Sequence, residues 1–147
     1  MTEFRQVTQD FWASPQIGLA DVEDAGRRGF ALIINNRPEG ESPDQPEGDS
    51  IERAAAAAGL DYRAIPVTPG AFGEAEVEAM ADALGAARGP VLAYCRSGTR
   101  STLLWALAQA TRGRSPDSIA ADAARAGYDV GPIRPLIDRL ARPPERT

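Results

Sequence analysis

The chain contains no histidine. Ser-His-Asp and Cys-His catalysis are therefore excluded, and so is every metal site that depends on imidazole. There is a single cysteine, Cys95. One thiol cannot form an intrachain disulfide, a C-x-x-C redox pair or a thiolate-rich zinc site. No spaced Asp/Asn calcium loop occurs, which leaves only an acid-rich metal site open; no metal and no organic cofactor are expected. No apolar run reaches the length needed to cross a bilayer. The N-terminal "MTEFRQVTQDFW" lacks a basic-then-apolar leader pattern, which makes cytoplasmic the expected location and a membrane partner unexpected. The net charge of -5 also argues against nucleic-acid binding, which needs clustered cations.

What the chain does have is 147 residues, 43% hydrophobic and 25% charged, enough for one packed core, and residues 1–147 read as one domain. "DFWASPQI" (10–17) reads as a short strand ending in a turn. "LADVEDAGRR" (19–28) places Leu19, Val22 and Ala25 on one helical face. "FALIIN" (30–35) is a strand buried on both sides. Residues 36–50, rich in Pro, Gly and acids, read as a long loop whose acidic tip, Glu39 to Asp49, should face away from any anion site. Ser50 can cap the helix that Gly59 ends. "DYRAIPV" (61–67) is a strand, and residues 74–87 form a helix with Val77, Met80, Ala81 and Leu84 inward. "PVLAY" (90–94) is a buried strand, and "STLLWALAQAT" (101–111) is a central helix with Trp105 in the core. Ser115 and Pro116 open a further helix, and a last one has Pro132 and Pro135 near its start. "RPPERT" (142–147) should fray. The alternation reads as an α/β fold, a small, mostly parallel sheet flanked by helices.

The chemistry concentrates in "YCRSGTRS" (94–101). Cys95 stands at the carboxyl end of a buried strand, where open α/β sheets place their ligands. Gly98 permits the sharp turn into the following helix. The backbone N–H groups of Ser97, Gly98, Thr99, Arg100 and Ser101 can converge on an anion, reinforced by the helix start. Arg96 and Arg100 add positive charge suited to planar or tetrahedral anions. The same field favours the thiolate of Cys95 and dispenses with a histidine base. A lone cysteine is ordinarily a small buried hydrophobe, but the complete loop between strand and helix favours a nucleophile. Glu39 and Glu41 read as solvated loop charges.

With "FWASPQI", "GFALIINNRPEGE" and "YRAIPV", in order, the segment "PVLAYCRSGTRSTLLWAL" resembles the beta-lactamase hydrolase-like protein, phosphatase-like domain family. The resemblance implies a cysteine-phosphatase-like fold of the protein tyrosine/dual-specificity type. It implies Cys95 as nucleophile, Arg100 as anion clamp and Arg37 as a further contact. It also implies a metallo-β-lactamase-fold partner, since the family's name comes from fusions with one. Two departures matter. Tyrosine phosphatases carry C-x5-R, whereas Arg100 follows Cys95 as C-x4-R, the shorter pattern of rhodanese-type sulfurtransferases. The loop after "IPV", where such phosphatases keep a general-acid aspartate, has no carboxylate before Glu74.

Three readings follow. In the favoured one, Cys95 takes sulfur from a small anionic donor as a persulfide and passes it to a thiol acceptor. In the alternative, Cys95 attacks a phosphoester through a phosphocysteine. In the third, the loop binds anions or partners without catalysis.

Overall fold

The computed structural model describes residues 2–141. In chain order the elements are β1 (Arg5–Gln6), β2 (Phe11–Ser14), α1 (Leu19–Arg27), β3 (Leu32–Asn35), α2 (Gly48–Ala57), β4 (Asp61–Ala64), α3 (Glu74–Ala86), β5 (Val91–Tyr94), α4 (Thr99–Thr111), α5 (Pro116–Arg125), a 3-10 turn (Gly131–Ile133) and α6 (Arg134–Leu140). The expected fraying of residues 142–147 lies outside the described residues.

The sheet runs β1-β2-β5-β3-β4, parallel except for β1, so the α/β reading holds. Strand residues alternate between two apolar layers, as a pleated sheet requires. Leu32, Ile34, Val91 and Ala93 face one core, and Ile33, Leu92 and Tyr94 face the other. The first core lies under α3, α4, α5 and α6, and the second under α1 and α2. Ala13 and Ala93 are register partners beneath α4, and their small side chains let that helix sit close to the sheet. Buried residues surround α4, and Trp105 stacks on Phe11 with ring centroids 5.6 Å apart, in the core position expected of it.

The register positions the site. Ser14 pairs with Tyr94, Tyr94 with Asn35, and Asn35 with Ala64. All four parallel strands thus end at one level, and the segments starting at Pro15, Cys95, Asn36 and Ile65 leave the sheet side by side. Backbone hydrogen bonds continue the ladder past the strand ends: Cys95 N–H donates to Ser14 O, Gln16 N–H to Arg96 O, and Val67 N–H to Asn36 O.

Several local expectations need correction. The short antiparallel β1 has no alternating apolar pattern, and its two residues are exposed. Leu19 is exposed, and Asp21 is buried in α1 instead, because its carboxylate accepts the Gly18 N–H at 2.8 Å and the Thr2 N–H at 3.2 Å. Ser50 is not a cap: α2 starts at Gly48, after Glu47, three residues ahead of a start capped by Ser50. The β4 strand stops at Ala64, ahead of Pro66, a residue with no N–H to donate. The α4 helix begins at Thr99 rather than Ser101.

Candidate active site

Cys95 follows the last residue of the central strand β5, and four residues separate it from Arg100 in the first turn of α4. The turn closes through Gly98, at φ 92°, in the left-handed region that other residues resist. A side chain there would also strike the Tyr128 hydroxyl. This conformation aims the Gly98 N–H back at the sulfur, and it donates to Cys95 Sγ at 3.0 Å. Cys95 is fully buried. Ser101 is buried in the same turn, while Arg96, Ser97 and Thr99 are exposed on the rim. Ser97 Oγ is 3.1 Å from Thr99 Oγ1 and accepts the Thr99 N–H at 3.4 Å, which braces the loop externally.

The Arg100 guanidinium is nearly buried, 9% exposed. Its Nη1 donates to Val67 O at 2.9 Å and to Glu41 Oε2 at 2.8 Å, and its Nη2 donates to Glu41 Oε1 at 2.7 Å. Arg37, 5% exposed, donates from Nε to the same Glu41 Oε1 at 3.0 Å, from Nη1 to Gln16 Oε1 and from Nη2 to Ser42 Oγ. Arg37 therefore joins the site through Glu41 and Gln16. Asn36 anchors the neighbouring segment: its Nδ2 donates to Ile65 O at 2.9 Å, which holds the Val67 carbonyl in place for Arg100.

Glu47 and Asp49 are exposed, as expected of an acidic loop that faces away, but the expectation fails at Glu41. Glu41 turns inward, and its carboxylate bridges the two buried arginines. Gly40, at φ 68°, supplies the reversal, and the Glu41 N–H donates to Gln45 Oε1. Glu39 is not free either, since its Oε1 accepts the Gly48 N–H at the start of α2. The signal available in the sequence was "RPEGE": an arginine, a glycine turn and a carboxylate four residues on.

These contacts shift the ionisations. Hydrogen bonds from Arg100 hold the Glu41 carboxyl below its usual range, outweighing burial, with Arg37 adding to the effect. Burial opposes the charge on Arg100, but Glu41 and the neighbouring Cys95 together raise its pKa. Burial pushes the Tyr94 and Tyr128 phenols up. Among the described residues, the buried polar atoms without a hydrogen-bond partner are Asn36 Oδ1, Ser101 Oγ and the Tyr128 hydroxyl. Ser101 belongs to the cysteine loop, and the Tyr128 hydroxyl lies against Gly98. Tyr128 lies beyond α5, where no sequence motif pointed to it.

The segment between β4 and α3 carries no carboxylate, and Glu74 is already the first residue of α3. Among the described residues there is no cluster of His, Cys, Asp or Glu able to hold a metal.

A thiol at the carboxyl end of a central parallel strand, a glycine turn and an arginine on the next helix define a cysteine-phosphatase-like domain, and solved phosphatases share its fold. Residues 3–112 match the family described as beta-lactamase hydrolase-like protein, phosphatase-like domain, and the chain belongs to that family. A Xylella fastidiosa (strain 9a5c) beta-lactamase hydrolase-like protein is 40% identical over 116 residues, which is 78% of this chain and 27% of that protein. The chain therefore spans about a quarter of the length of the curated relatives it matches. A solved protein of Neisseria meningitidis Z2491, provisionally named a phosphatase, is 35% identical with a TM-score of 0.81, covering 94% of this chain and 97% of that one. Pseudomonas aeruginosa TpbA, solved in complex with phosphotyrosine, shares the fold at 18% identity with a TM-score of 0.57, covering 89% of this chain and 87% of its own.

Proposed function

We propose that this chain is a sulfurtransferase that carries sulfur as a persulfide on Cys95. The supporting observation is the size of the loop. With four residues between Cys95 and Arg100, the Gly98 N–H lies 3.0 Å from Sγ, so the turn closes around the sulfur itself. In the first step the Cys95 thiolate attacks the outer sulfur of a donor. An Sγ–S bond forms, the donor's S–S bond breaks, and its electron pair leaves with sulfite (from thiosulfate) or with a thiolate (from a small-thiol persulfide). In the second step an acceptor thiolate attacks the outer sulfur of the persulfide and Cys95 leaves as thiolate. Neither step needs a general acid, a metal or an organic cofactor, which suits a site whose β4–α3 segment lacks a carboxylate.

The family and fold favour a second reading, a phosphatase in which Cys95 forms a phosphocysteine, with phosphoesters as substrates. Without a general acid the alkoxide leaving group stays unprotonated, a loss of roughly 10²–10⁴-fold, so aryl phosphates would be its best substrates. Under either reading Cys95 and Arg100 are the catalytic pair, with the N–H groups of Ser97, Gly98, Thr99 and Ser101 and the charge of Arg96 serving the anion. Arg37 supports the site through Glu41. The domain is a single unit, and a metallo-β-lactamase-fold protein is its partner.

The test is intact mass spectrometry after incubation with thiosulfate or a small-thiol persulfide, beside Cys95→Ser and an aryl phosphate assay. A gain of one sulfur atom on wild type only, reversed by thiol, supports transfer. Phosphate release that depends on Cys95, with no sulfur adduct, would replace this reading with the second.

A further inference from the structure

We propose that Glu41 sets the charge of the group the cysteine loop accepts: with its carboxylate in place the loop takes a singly charged sulfur and discriminates against dianions. The inference rests on the sulfur-transfer reading for its substrate class, but its geometry stands apart from that reading.

Both Nη atoms of Arg100 are committed to Glu41, at 2.8 and 2.7 Å, and Nη1 also serves Val67 O. A sulfate-like or phosphoryl group seeks a pair of parallel donors; these bonds leave Arg100 its Nε–H and second Nη2–H for one, so a bound anion would sit beside the Glu41 carboxylate. Glu41 is not a loose side chain. Arg37 holds Oε1 at 3.0 Å, and Gln45 holds its backbone. Two guanidinium groups and one carboxylate leave a single positive charge in a buried place. A Cys95 thiolate or persulfide balances that charge. A dianion, or a phosphocysteine, would leave uncompensated negative charge beside Glu41, which desolvation makes costly. The cavity next to the loop, about 230 Å³, adds Arg96 and Asp44 to its lining, whose charges cancel and leave that single positive charge unchanged. The donor class that fits is a persulfide, which takes the thiolate's attack as neutral R–S–SH and so brings no added charge, ahead of dianionic thiosulfate.

The first test needs no variant. Inorganic sulfate and nitrate are titrated into wild type by calorimetry and by protection of Cys95, the sole thiol, from iodoacetamide. Nitrate should bind at least as tightly as sulfate, and tighter sulfate binding would overturn the proposal. In Glu41→Gln, and in Glu41→Ala as a guard against a folding defect, sulfate affinity should rise by about tenfold, the effect of removing one like charge from a buried site. The ratio of kcat/KM for thiosulfate to that for a small-thiol persulfide should rise likewise. Unchanged sulfate affinity in folded variants would also refute the proposal. If sulfate tightens but no persulfide forms on Cys95 in any protein, the transfer reading fails and the charge selection stands.

Discussion

The two ends of the sheet make opposite use of the same residue types. At the amino ends of β2 and β5 lies the larger hollow, about 780 Å³, lined by Phe11, Val91, Trp105, Arg88, Arg112 and Arg114 among others. Arg88 and Arg112 are exposed there, and Arg114 pairs with Asp122. At the carboxyl ends the hollow is less than a third as large and carries exposed Arg96 on its rim, yet Arg37 in its wall and the nearby Arg100 are buried, each is held by several acceptors, and the Cys95 thiol stands beside Arg100. Open volume does not make a reactive site. Buried charge held in fixed geometry does, because screening is weak and the groups need no reorganisation.

The sharpest way to break that comparison is at the thiol. Cys95→Ser should abolish both persulfide formation and any aryl phosphate release, read by intact mass and phosphate assay. Activity surviving in that variant would move the chemistry elsewhere in the molecule. Next in size, Arg100→Lys should lower kcat/KM by roughly 10²–10³-fold, since an ammonium cannot reproduce the fork. Arg88→Ala and Arg112→Ala at the other end should change it by no more than about twofold. A comparable loss at both ends would erase the distinction.

Gly98→Ala should destabilise the fold by about 1–3 kcal/mol in chemical denaturation, because the backbone is left-handed there and a side chain meets the Tyr128 hydroxyl. Tyr128→Phe should recover part of that loss. No recovery would show that the backbone alone sets the cost. The smallest effect concerns acid. Glu41 has a native pKa below its ordinary 4.5, with hydrogen bonds from Arg100 as the leading cause. Its contribution to stability is therefore complete above that ordinary value and is lost as pH falls through the lowered native one. The stability gap between wild type and Glu41→Gln should stay constant from neutral pH down to about 5 and then close. A gap that persists in acid would mean that Glu41 acts by shape and not by charge.

Much of this was legible in the sequence where one residue type carries one constraint. The apolar runs of β3 and β5 announce strands buried on both faces. The lone Cys95 before Gly98 and Arg100 announces the turn, and the missing carboxylate after β4 is read directly. What escaped depends on long-range closure. The local "RPEGE" pattern fits the Arg37–Glu41 pair, but Glu41 reaches Arg100 across 59 positions, and no local pattern marks that contact. Tyr128 reaches Gly98 from beyond α5 with no motif to mark it. Leu19 and Asp21 exchanged places because two backbone N–H groups needed a carboxylate more than the core needed a leucine.

The central claim is that the loop is built for sulfur rather than phosphorus. Its most direct test is kcat/KM for sulfur transfer from a small-thiol persulfide to a thiol, measured beside kcat/KM for aryl phosphate hydrolysis on one preparation. Sulfur transfer should exceed hydrolysis by at least about 10²-fold, the factor that a missing general acid withholds. Hydrolysis as fast as transfer, or faster, would contradict the account.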